Sequence, residues 1–145
     1  MILSSVLGVL LAALPVWAGL VSFAVPDTIK DGDEITVIVT MNSELGSVWD
    51  YNLVLSATER SLPYGYLGGR GFAMIDLRGL PFGTSNFTVN TKDTGVGARE
   101  DSVVRGAWLS TVGVMGMLQT RMQQVAVKRG SRTSKNFVDS KPLLR

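Results

Sequence analysis

The chain has 145 residues, 46% of them hydrophobic and 18% charged, and carries a net charge of +2. That length suits one domain, and that balance is too apolar and too weakly charged for a disordered chain. Histidine and cysteine are both absent, which excludes disulfides, zinc fingers, thiol nucleophiles, imidazole bases and the usual Ser-His-Asp and Cys-His machineries.

Ile2 to Leu14 is apolar except for Ser4, Ser5 and Gly8, and Pro15 then breaks the run. A spanning helix needs about 20 apolar residues, so this segment predicts no stable membrane span. With Val16-Trp17-Ala18 as a small-residue cleavage site, residues 1–18 read as a signal peptide cut before Gly19. The product is expected to be secreted and extracellular. A mature chain of this size can bury enough surface to fold without disulfides. The sequon Asn86-Phe87-Thr88 agrees with secretion and makes Asn86 a candidate glycosylation site on the surface.

From Gly19 onward the periodicity is two. Val21, Phe23 and Val25 alternate until Pro26, which predicts an edge-type strand over 20–25. Asp31-Gly32-Asp33 is a turn signal. Ile35, Val37, Val39 and Met41 then place one apolar face on a strand over 33–41. The next strand, 48–57, is expected to carry Trp49, Tyr51, Leu53 and Leu55 on one face. A Gly-rich loop, Pro63 to Gly69, has several positions suited to positive φ. Short strands follow over 71–77 and 85–91, the second alternating Phe87 and Val89 with polar neighbours. Gly106 and Gly113 argue against a helix in the apolar run Val103–Val114. That run reads as a central strand over 102–111 and a turn at Gly113–Gly116. Leu118–Val127 closes the set, with Met122 inward and Arg121 and Gln123 outward. Seven short strands with turns every eight to twelve residues predict an all-β fold, an immunoglobulin-like antiparallel β-sandwich without a disulfide. A partly open barrel is the alternative.

Charge divides the chain. Residues 128–145 hold six basic side chains against Asp139, whereas residues 19–127 hold eight basic and eleven acidic ones. The expected organisation is a signal peptide (1–18), a β-sandwich domain (19–128) and a basic flexible tail (129–145). Phe137 is the one aromatic of the basic segment, and nucleic-acid binding wants a basic face with stacking aromatics, so no nucleic-acid partner is expected. Lys128-Arg129 is a dibasic pair, a weak signal for processing.

Asp27, Asp31, Asp33 and Glu34 cluster in the chain but lack the spacing of a calcium loop and read as a solvated turn. Glu100 and Asp101 are adjacent in a strand and would point to opposite faces, which suits paired acid–base work poorly. The loop glycines Gly65, Gly68, Gly69 and Gly71 precede a strand and lack the Gly-Lys-Ser/Thr ending of a phosphate cradle. No catalytic residue, metal ligand or cofactor is therefore assigned. Trp49 and Trp108 are expected in the core, and Met115, Met117 and Met122 as core filler. Tyr64 and Tyr66, amphipathic rings on a Gly-rich loop, are the candidate partner-binding residues.

The string Val25-Pro26-Asp27-Thr28-Ile29-Lys30-Asp31-Gly32 resembles the IP-x-x-IKPG opening of the fungal necrosis-inducing secreted protein 1 family, with Asp31 in place of its proline. The order continues with an Asp50-containing strand, the loop Tyr64-Gly65-Tyr66-Leu67-Gly68, an aliphatic strand with Asp76-Leu77, and the late stretch Glu100–Gly113. At the end of that stretch Thr111-Val112-Gly113 replaces the family's Leu-Tyr-Gly character. The resemblance covers roughly residues 19–130. It implies a β-sandwich effector, not an enzyme, secreted by a plant-associated fungus and acting outside or inside host cells. Its partners would be host receptor-like or co-receptor kinases and their cytoplasmic associates. Their inhibition would suppress pattern-triggered immunity, and the effector can provoke cell death. Two other functions fit the residues: a cell-wall or carbohydrate-binding sandwich using Tyr64 and Tyr66, and a hydrolase using two carboxylates about 5–10 Å apart.

Overall fold

Ile35, Val37, Val39 and Met41 are all buried, while Thr36, Ile38 and Thr40 between them are half-buried. This alternation, repeated in strand after strand, builds a sandwich whose inner faces meet in one core. The computed structural model describes residues 17–44, 48–58, 63, 65–69, 71–113 and 115–143. Among them run ten strands: β1 (Trp17–Pro26), β2 (Thr28–Ile29), β3 (Glu34–Glu44), β4 (Val48–Thr58), β5 (Gly71–Asp76), β6 (Gly83–Asn90), β7 (Asp101–Val112), β8 (Met117–Arg129), β9 (Phe137–Asp139) and β10 (Lys141–Pro142). The described residues contain no helix long and apolar enough to cross a membrane. Residues 1–16, which hold most of the expected signal peptide, lie outside the described residues. Because β1 begins at Trp17, a cut before Gly19 would trim only the pairs Trp17–Glu44 and Ala18–Ser43 from its start.

One sheet has the order β6-β3-β1-β9 and the other β10-β8-β7-β4-β5, with β2 added beside β8. The seven long strands are those the alternation predicts. Their order, A-B-E against C′-C-F-G in immunoglobulin lettering, is the sandwich arrangement expected. Phe23, Val25, Val37 and Val39 from the first sheet meet Leu53, Leu55, Val104 and Trp108 from the second. At Gly106 the sheets come so close that a Cβ would lie 2.5 Å from a Phe23 ring carbon and 2.9 Å from Leu53 Cδ1. That crowding requires glycine in the middle of β7.

The opening motif Val25–Gly32 is the point where the chain changes sheets. Pro26 ends β1 in the first sheet, and Thr28–Ile29 pairs in parallel with Lys128–Arg129 of the second. The segment after β8 wraps this crossing: Asp27 N donates to Asn136 O (2.9 Å), Ser134 N to Thr28 O (2.8 Å), and Gly130 N to Ile29 O (3.2 Å). Residues 137–139 then pair with Pro26–Ala24, and Lys141–Pro142 with Gln124–Gln123. The expected flexible tail over 129–145 is thus corrected through residue 143. Most of its side chains are polar, though Val138 packs against the core, and its backbone completes edges that β1 and β8 would otherwise leave open.

From Ala24 back toward its start, β1 has no strand on that side among the described residues, and side chains of β4, β8 and the β9–β10 link supply bonds to it. Leu20 N donates to Asp50 Oδ2 (2.6 Å), and Ser110 Oγ donates to Asp50 Oδ1. Gln123 Nε2 donates to Val21 O (2.9 Å), and Phe23 N to Ser140 Oγ (3.0 Å), whose hydroxyl donates to Gln123 Oε1 (2.5 Å). Gln123, expected outward, is therefore buried, because an edge backbone needs a donor there.

Trp49 is a second correction. Between Asp50 and Leu53 the β4–β7 register shifts, so that three steps along β4 match two along β7. Such a bulge flips side-chain parity. Val48 and Asp50 point inward before it and Leu53, Leu55 and Ala57 after it, which leaves Trp49 45% exposed and Tyr51 half-buried. Met115 and Met117, expected in the core, are 91% and 71% exposed at the β7–β8 turn; Met122, expected inward, is buried but pairs with Ala107 and so lies on the Arg105 face of the second sheet, outside the core cluster. Met115 stands in the turn between Gly113 and Gly116, both at positive φ, and Met117 is the first residue of β8.

Candidate functional site

The site is built around a cation in an apolar strand. Arg105 stands between Val104 and Gly106 in β7, paired with Ser56 of β4 on one side and Gln124 of β8 on the other. Its side chain lies on the sheet face away from the core, yet the residue is only 1% exposed. What covers it is the loop after β4. Arg105 Nη1 donates to Pro63 O (3.0 Å) and to Tyr66 O (2.5 Å), and Nε donates to Gln124 Oε1 (3.2 Å). Ser56 Oγ donates to Leu67 O (2.7 Å) beside it. Burial pulls the Arg105 guanidinium below the ordinary arginine value, because desolvation disfavours its charged form. Buried under three carbonyl-type acceptors, it works as a fixed fork rather than a surface charge.

The loop glycines take the positive φ expected of them at Gly65, Gly68 and Gly69. At Gly69 two demands coincide: φ is +54°, and a Cβ would stand 1.7 Å from Ala57 O. The loop therefore lies flat on the end of β4 with no room for a side chain at that point. Seated in this way it presents Tyr66, 63% exposed. Tyr64 lies outside the described residues.

Asn86 is exposed on β6, opposite Ile38 of β3. Asp27, Asp31, Asp33 and Glu34 do not converge: among the described residues no three acidic side chains gather as metal ligands would. Asp33 instead holds the wrapping segment, its Oδ2 accepting from Thr133 Oγ1 (2.8 Å). Asp76 is clasped by Arg78 two residues on, through Nε (3.0 Å) and Nη2 (2.8 Å), and these bonds hold its carboxyl at about 2. Both side chains are well exposed.

The residues missed from sequence are Arg105 and the exposed group Trp49, Leu109 and Leu118 on the outer face of the second sheet. Arg105 had one legible sign, a lone charge in Val103-Val104-Arg105-Gly106-Ala107-Trp108. A charge inside an apolar strand needs partners, but nothing local says that a loop some 40 residues away supplies them.

The chain is thus an all-β sandwich whose second sheet carries a clamped loop with an exposed aromatic ring. The chain belongs to the Nis1 family, a fungal effector family, whose model matches residues 16–128. That match spans all seven long strands and stops at Lys128, so β9 and β10 complete the sandwich from beyond it. No curated protein matches the chain.

Proposed function

We propose that this protein is a secreted fungal effector that binds host receptor-like or co-receptor kinases, or their cytoplasmic associates, and suppresses pattern-triggered immunity. Cell death is a downstream outcome in this reading, and the protein acts by occupying its partner, not by catalysis. Family membership supports the effector class. The observation that carries the binding mode is the exposure of Tyr66 on a loop that Arg105 and Ser56 hold in place. An aromatic whose loop is ordered before contact loses less conformational entropy on binding, and such rings supply a large share of interface energy.

The test is a pull-down of plant kinases with the secreted protein and with Tyr66→Ala, run beside pelleting on chitin and glucan. Retention of kinases by the parent protein and their loss with the variant is the expected result. Trp49, exposed on an open sheet face, favours the second reading, a fungal-wall carbohydrate module. Pelleting that depends on Trp49, with no kinase retained, would select that reading instead.

A further inference from the structure

Asp50 is a carboxyl buried between the sheets, 4% exposed. It accepts from Leu20 N (2.6 Å) through Oδ2 and from Ser110 Oγ through Oδ1. Among the described residues no basic side chain forms an ion pair with it. A buried carboxylate without a counter-charge is costly, and two hydrogen bonds from neutral groups offset that cost only in part. Leu20 would be the second residue of a chain cut before Gly19. We propose that the α-ammonium released at Gly19 is the counter-ion of Asp50, so that processing builds an ion pair between the new N-terminus and this buried acid. The pair would tie β1 of one sheet to β4 and β7 of the other. The proposal rests on reading residues 1–18 as a cleaved signal peptide, and is independent of the kinase reading.

Covalent geometry brings the two charges together without rearranging the sandwich. Three bonds separate Gly19 N from Leu20 N, so the two nitrogens lie within about 4 Å of each other. With Leu20 N at 2.6 Å from Asp50 Oδ2, the new amine starts no more than about 7 Å from the carboxylate. Once freed from Ala18 it can turn about the Gly19 Cα–C bond, and glycine has no side chain to obstruct the turn. Opposite charges within about 4–6 Å favour the charged form of both groups. The start of the cut chain is also held in place: Gly19 pairs with Asn42 and Leu20 with Met41 of β3, and Gly19 is buried in the uncut chain. Before the cut, the Gly19 nitrogen is a neutral amide and the α-amine belongs to Met1. The ion pair is therefore a property of the processed protein alone.

The test has three readouts. N-terminal sequencing of the secreted protein should begin at Gly19. The rate of α-amine acylation at pH 7 is then followed by mass spectrometry of the N-terminal peptide, in the parent protein and in Asp50→Asn. Asparagine keeps both hydrogen bonds, since Oδ1 can accept from Leu20 N and Nδ2 can donate to Ser110 Oγ, but it carries no charge. Arg121 lines the cleft beside Leu20 and Val21, and Glu44 stands opposite Trp17 in register; both are common to the two proteins, so the comparison isolates Asp50. An amine paired with a carboxylate stays protonated to higher pH, and one pKa unit is a factor of about ten in the reactive form. The parent should therefore acylate about tenfold more slowly than Asp50→Asn. The third readout needs no variant: acylation of the α-amine should lower the melting temperature of the parent protein. A Gly19 start with equal acylation rates, or an acylated parent that melts with the unmodified one, would overturn the ion pair and leave the cut standing. A secreted chain that starts elsewhere would overturn both.

Discussion

Arg105 Nη1 lies 2.5 Å from the carbonyl oxygen of Tyr66 and 3.0 Å from that of Pro63, so one guanidinium nitrogen ties both ends of the exposed turn to the centre of the sheet. Tyr66 and its anchor are thus 39 positions apart in sequence and joined by a hydrogen bond. Arg105→Met keeps the length of the side chain and removes the fork. The sandwich should still fold, with a loss of about 1–3 kcal/mol as the two carbonyls lose their donor, while partner binding falls sharply. Trypsin cleavage at Arg60 or Arg70, which flank the turn in sequence, should accelerate. Arg105→Lys should rescue only in part, since a point charge cannot serve Pro63, Tyr66 and Gln124 together. Unchanged cleavage kinetics in Arg105→Met would show that the loop is held by something else.

Asp50 ties β4 to both sheets by accepting from Leu20 N and Ser110 Oγ. An alanine there has no acceptor oxygen, so Asp50→Ala must break both of these bonds. We expect about 1–3 kcal/mol lower stability in urea unfolding, with an unchanged m-value because the exposed surface does not change. A loss below about 0.5 kcal/mol would mean that water serves the Leu20 amide equally well.

Deleting residues 137–145 should destabilise the domain itself. It strips β9 from Ala24–Pro26 and removes Ser140, which serves Phe23 N and Gln123. Several bonds at about 1 kcal/mol each give an expected loss of roughly 2–4 kcal/mol, read as a lower melting temperature. A truncated protein that melts with the parent would show that the segment contributes nothing to the fold.

Asp76 offers a pH prediction with a defined sign. Hydrogen bonds from Arg78 hold its carboxyl at about 2, below the ordinary 3.8. A carboxyl depressed on folding contributes stability above the unfolded value, and that contribution is lost as pH falls through the folded value, here between about 4 and 2. Both partners are exposed, so salt and solvent screen the pair, and Asp76→Asn should barely move the unfolding midpoint at pH 7. Carboxyl NMR should find Asp76 titrating near 2, and near its ordinary value in Arg78→Ala. An unshifted Asp76 in the parent protein would contradict the clasp.

The period of two, with the turn signals between the runs and the apolar run of β7, was enough to place the seven long strands and the inward face of β3, and the size of Trp108 was enough to place it in the core. Hydrophobic alternation is local, and any strand that covers a core must display it. The turn glycines and the opening motif at Val25–Gly32 were legible for the same reason, although the motif's role as a sheet crossing was not. Tertiary structure alone decided the rest. Trp49 faces solvent because a bulge, visible only against β7, reverses the parity of β4. Gln123 is buried because β9 stops at Asp139 and leaves Val21 O to be served by a side chain. Residues 130–143 are ordered because their backbone pairs with β1, more than 100 residues earlier, and with β8. Tyr66 is held exposed while Arg105 reaches its carbonyl from another strand. Each of these depends on which hydrogen-bonding groups are left unpaired once the sheets have formed, and a backbone amide carries no mark in the sequence of whether its partner will arrive.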